Sequence, residues 1–133
     1  MKKSFIILAI GICLCFVGCK NKDNEKTPEG VTSSFVKSFN TGDFQGMYKY
    51  STSKSKNLID NLSQQRSAED LEIIKSRQLT VDSTVVKEQT DSTATCICYF
   101  KIKEKDDDRW QNAYQEWPLQ KEGEDWKIML VRP

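Results

Sequence analysis

Cys96 and Cys98 stand two residues apart in the stretch Ala94-Thr-Cys-Ile-Cys-Tyr-Phe100. Two thiols at that spacing suggest redox chemistry or a shared soft metal ion. On a strand their Cα atoms would lie about 6.6–6.8 Å apart, at the outer limit for a disulfide. The chain has no histidine, so the commonest general base and the commonest metal ligand are both missing. Two thiols without histidine make a poor zinc site. They read better as small apolar core residues that stay reduced. Asp106-Asp-Asp108 offers carboxylate oxygens to Ca²⁺, but it lacks the spaced ligands and the glycine of a calcium loop. It reads as a solvated turn that blunts a sheet edge. Neither group calls for a metal or a cofactor.

The other three of the five cysteines lie near the N-terminus. Lys2 and Lys3 precede the apolar run Phe5–Val17, which contains Cys13 and Cys15 and stops at Gly18-Cys19. A short positive start and a short greasy run make a secretory signal, and the run falls below the ~20 residues of a spanning helix. Phe16-Val-Gly-Cys19 resembles the lipobox of bacterial lipoproteins, with Phe16 where leucine is usual. The resemblance implies a diacylglycerol on the Cys19 thiol and cleavage just before it. Residues 1–18 are then the signal and residues 19–26 a lipidated cysteine with a flexible, polar tether. Each buried methylene of the lipid contributes ~0.8 kcal/mol, and two or more chains hold firmly. The seven residues Lys20–Lys26 span at most ~25 Å, so the domain stays near the membrane. By comparison with known sorting signals, Lys20 after the cysteine favours a periplasm-facing anchor on the outer membrane.

The formal charge is +1 and falls to −1 once Lys2 and Lys3 are removed. With no basic excess there is no footprint for nucleic acid. Residues 27–133 are one domain of ordinary size.

Helices dominate its first half. Thr27-Pro-Glu29 is a start signal, and Val31, Phe35 and Phe39 recur at spacing four with Val36 beside them. Gly42 suits a left-handed cap. Asp43 caps a second helix faced by Phe44, Met47 and Tyr48, in which Gly46 marks a close approach. Ser51–Lys56 reads as a polar link. Leu58, Ile59 and Leu62 form further helical turns, and Ser67-Ala-Glu-Asp70 resembles a capping box ahead of Leu71, Ile73 and Ile74.

The period then changes to two. Strands are expected over 79–86, 93–103, 109–120 and 126–131. Ala94, Cys96, Cys98, Phe100 and Ile102 share one face of the second strand, and Thr95, Ile97, Tyr99 and Lys101 the other. Trp117 and Leu119 oppose Trp110 and Tyr114 on the third. Pro118 marks an edge or a bulge. The result is an α+β domain, with N-terminal helices packed on a curved four-stranded antiparallel sheet.

Thr27-Pro-Glu-Gly-Val31, the Phe35…Phe39 helix, Thr41-Gly-Asp-Phe44 and the closing Glu122-Gly-Glu-Asp-Trp-Lys-Ile128 resemble a group of small bacterial lipoproteins of unknown function. Their domain is a cystatin-like, nuclear-transport-factor-two-like cone. The resemblance implies a curved sheet that half-encloses a pocket, lined here by Tyr48, Tyr99, Tyr114, Trp110 and Trp117, with Trp126 nearby. Cone enzymes similar to ketosteroid isomerase place a carboxylate and a tyrosine in such a pocket, and Asp82 or Glu116 would take that position here. No constellation of residues supports catalysis, and core packing accounts for the aromatics. The expected function is an envelope lipoprotein acting as a noncatalytic binding or interaction module. It would touch the membrane through lipid on Cys19 and bind a protein or a small apolar ligand. A cone enzyme using a buried Asp or Glu with a Tyr, and a purely structural envelope protein, are the alternatives.

Overall fold

The computed structural model describes residues 26–131. The signal, Cys19 and the tether up to residue 25 lie outside the described residues, as do residues 132 and 133.

Helix α1 (Pro28–Thr41) begins where the sequence signals it. The Thr27 side chain accepts the Gly30 N–H at 3.1 Å, and Pro28 occupies the first turn. Gly42, at φ 72°, closes the helix in the left-handed region, its N–H donating to the Ser38 carbonyl. Helix α2 (Phe44–Tyr50) follows at once, with the Asp43 carboxylate accepting the Gly46 N–H at 3.0 Å. Gly46 lies against α1. A Cβ there would collide with Ser38 Oγ and come within 2.6 Å of Asp43 Oδ2, so the crowding at Gly46 comes from side chains and not from the expected approach of two backbones. After a 3₁₀ turn (Ser53–Ser55), α3 (Lys56–Gln65) buries Ile59 and α4 (Ala68–Lys75) buries Ile74. Ser67 caps α4 by accepting the Asp70 N–H at 3.1 Å.

Strands β1 (Gln78–Gln89), β2 (Thr93–Lys103), β3 (Gln111–Glu122) and β4 (Asp125–Ile128) form an antiparallel meander in the order β1-β2-β3-β4. The domain is α+β, four helices against an open, curved sheet. Two irregularities fall in β1, where Asp82 and Lys87 are the extra residues between paired neighbours. Such bulges bend and twist a strand. The β2–β3 register runs unbroken through Thr95↔Pro118, so Pro118 is not a bulge. It lies where β4 gives out. Its carbonyl accepts the Met129 N–H at 2.8 Å, and a proline has no proton to return.

One face of the sheet is packed under α1. Ala94, Cys96, Cys98, Phe100, Leu119, Trp126 and Ile128 are buried there against Val31, Phe35 and Val36. Phe35 sits edge-on to Trp117, with ring centroids 5.1 Å apart, and Phe39 likewise at 5.3 Å. The buried side chains form two clusters, one around Phe35 and one of Val36, Cys98 and Phe100, with Trp117 packed against both.

Several strand ends differ from the sequence reading: β1 runs on to Gln89 and β3 to Glu122, while the start of β3 and the end of β4 are cut short. Residues 109 and 110 precede β3, because the Asp107 carboxylate accepts the Arg109 N–H at 2.9 Å and holds it in the turn. Residues 129–131 leave β4, which ends at Ile128; the Ser55 hydroxyl takes the N–H of Leu130 at 2.9 Å and of Val131 at 3.3 Å. Ser51–Lys56 is therefore no loose link. Ser51, Thr52 and Ser55 are buried, Thr52 donates its N–H to the Ile128 carbonyl at 2.8 Å, and Thr52 and Ser55 share a hydroxyl hydrogen bond of 2.7 Å.

Candidate functional surface

Cys96 and Cys98 are free thiols with no solvent exposure. They pack as the sequence reading expects, side by side on the helix-covered face. Burial pushes the Cys96 thiol up, against a smaller pull down from the neighbouring Thr32 hydroxyl. That hydroxyl satisfies hydrogen-bond geometry with no partner, so the pull is weak. Burial likewise raises Cys98, opposed by the Thr84 hydroxyl. A protonated thiol sealed from water is a poor nucleophile and a poor metal ligand.

The two carboxylates considered for catalysis face water. Asp82 and Glu116 are both exposed, and Glu116 lies 3.5 Å from Lys87 Nζ. Neither stands in a dry site beside a tyrosine. Of the Asp106–Asp108 run, Asp107 is engaged by Arg109, whose Nε lies 3.5 Å from it.

The five aromatics expected to line a pocket do not converge. Tyr48 and Trp117 lie on the helix side, packed against the core. The Lys56 ammonium sits 5.7 Å from the Tyr48 ring centre. The Trp117 Nε1–H donates to Gln115 Oε1 at 3.2 Å. Trp110, Tyr99 and Tyr114 are exposed instead, the last at 68 %. Trp126, also buried, lies 5.2 Å from the Lys121 ammonium. A gap between the helices, bounded by Phe39, Phe44, Met47, Leu62, Arg66 and Ile74, amounts to about 20 Å³, room for one water and no organic ligand; larger open clefts lie elsewhere on the surface, one of about 760 Å³ lined by Glu72, Ile73, Ser76, Glu104 and Arg109. The concave side is filled by side chains.

A polar clamp that the sequence reading missed closes that side. Asn40 and Gln115 exchange two amide hydrogen bonds of 3.3 and 3.2 Å, and Asn40 also donates to the Val36 carbonyl at 2.7 Å. The signal was available. Gln115 alternates with Ala113, Trp117 and Leu119, so it is a polar residue on the inward face and needs a partner.

The opposite face of the sheet is bare of helices. Register sets its rows. Tyr99 pairs with Tyr114 and Ser83, and Ile97 pairs with Val85 and Glu116. The two tyrosine rings lie 6.0 Å apart at 39°. Val85 is 46 % exposed and Tyr99 40 %. Aromatic and aliphatic side chains held on a rigid sheet, with a polar hydroxyl on each tyrosine, suit recognition of another surface. This face is the candidate functional surface.

The chain enters the domain at the β3–β4 turn. Lys26 Nζ lies 3.3 Å from Asp125 and 4.0 Å from Glu124. No protein-family model matches the chain, and no curated protein matches its sequence.

Proposed function

We propose that this protein is an envelope lipoprotein, held by lipid on Cys19 at the periplasmic side of the outer membrane, whose cone-like α+β domain is a noncatalytic interaction module. One observation carries the reading: the concave side of the sheet is filled while the other side carries aromatics into solvent. A filled interior argues against a buried substrate. Apolar rings kept exposed on a rigid face argue for a partner surface. The apolar run ending in Gly18-Cys19 supports the anchor. Among the described residues no helix is long and apolar enough to cross a membrane.

Cell fractionation tests the anchor. The wild-type chain should sediment with membranes and C19A should be released; membrane-bound C19A would overturn it. Native mass spectrometry of the purified chain tests the filled interior. The expected spectrum has no stoichiometric small-molecule adduct, and such an adduct would overturn the reading of a filled interior.

A further inference from the structure

The bare sheet face is polar along its strands as well as apolar at its centre. Lys101 and Lys103 alternate with Tyr99 and lie on the same side, towards the β2–β3 turn. Glu88 and Glu116 lie on that side towards the β1–β2 turn. The bulged residues oppose both: exposed Asp82 belongs to the lysine half, and Lys87 pairs with Glu116 in the acid half. Two cations against one anion still leave the first half basic, and two anions against one cation leave the second acidic. Between them stand Ile97, Tyr99 and Tyr114.

A surface with a basic half, an apolar middle and an acidic half is complementary to itself. We propose that a second copy of this chain covers it, sheet face to sheet face. The two-fold axis lies between the sheets and runs across their strands. Rotation about that axis reverses strand direction, so each basic half meets the other copy's acidic half. An axis parallel to the strands would stack like on like. A closed two-fold makes every contact twice, so Lys101 of each copy approaches Glu88 of the other, while Tyr99 packs against the opposing Ile97 row. Sheets packed this way sit about 10 Å apart. Three strands of about twelve residues offer ~600 Å² per copy, or ~1,200 Å² in total, the lower end of the range for stable interfaces. The proposal deepens the interaction-module reading by naming the partner, and it rests on the sheet face alone, not on the anchor.

Sedimentation velocity of the purified full chain in detergent, across ~1–100 μM where a modest interface is half-formed, tests it. The wild-type chain should shift from monomer to dimer as concentration rises. Y114D puts a charge in the apolar middle and should abolish the shift. K101E should weaken the dimer by about tenfold, and adding E88K to it should restore most of the loss. Thermal melts of each variant at low concentration check that it is folded. A wild-type chain that stays monomeric overturns the proposal and leaves the face to a different partner, with the fractionation result on Cys19 untouched. A Y114D chain that still dimerises, or a double swap that restores nothing, overturns the geometry.

Discussion

The two faces of one sheet are built from alternate residues of the same strands, and they do different work. In β2, Cys96, Cys98 and Phe100 are at most 2 % exposed while Tyr99 between them is 40 % exposed. The inner face meets α1 and supplies the interior. The outer face meets nothing in the described chain. Side-chain alternation lets one strand hold the fold together with half its residues and leave the other half to recognition. Changes on the two sides should therefore separate into large losses of stability and almost none.

The largest loss is expected at the centre of the inner face. Phe35 is fully buried and stacks edge-on against Trp117. F35A should cost ~3–5 kcal/mol, read by chemical denaturation, and a shift below about 1 kcal/mol would mean the interior repacks freely. Next comes the buried hydroxyl that holds the C-terminus. S55A leaves the N–H groups of Leu130 and Val131 and the Thr52 hydroxyl without their partner. A loss of ~1–3 kcal/mol is expected, with faster amide exchange at Leu130; unchanged exchange there would show that Ser55 is not the latch.

The thiols give a pH signature for the same face. Both have ionisation raised by burial. The unfolded chain releases those protons first, from about pH 8.5 upward. The stability they contribute is therefore complete below that pH and declines as pH rises towards the folded values. Replacing both cysteines by alanine should flatten the alkaline decline. An equally steep decline in the double variant would assign it to other groups.

The smallest effect belongs to the outer face. Y114A removes a ring that is 68 % exposed and should change monomer stability by less than about 0.5 kcal/mol. A loss approaching that of F35A would erase the distinction between the faces.

Much of this was legible in the sequence because local chemistry agreed with tertiary structure. Thr27, Gly42, Asp43 and Ser67 cap what their residue types suggest. The period of two in β2 placed Cys96 and Cys98 on the buried side. What failed depended on contacts distant in sequence. Ser51, Thr52 and Ser55 look like a polar link, and only the end of β4 and the residues after it, some seventy-five residues on, explain their burial. The bulges at Asp82 and Lys87 leave no mark in composition, and Asp82 is an exposed extra residue of β1, not a pocket carboxylate. The pocket reading failed for a related reason. An aromatic-rich sheet can put its rings on either face, and Phe35 and Phe39 fill the side where a pocket would have opened.

Hydroxyl-radical footprinting, run once on intact cell envelopes and once on the dilute purified chain, tests most directly the claim that the outer face is a partner surface. Phe35 and Trp126 should be protected in both. Tyr99 and Tyr114 should be oxidised in the dilute chain and protected in the envelope. Equal oxidation of the two tyrosines in both samples would mean that nothing covers the outer face where the protein works, and the account would be wrong.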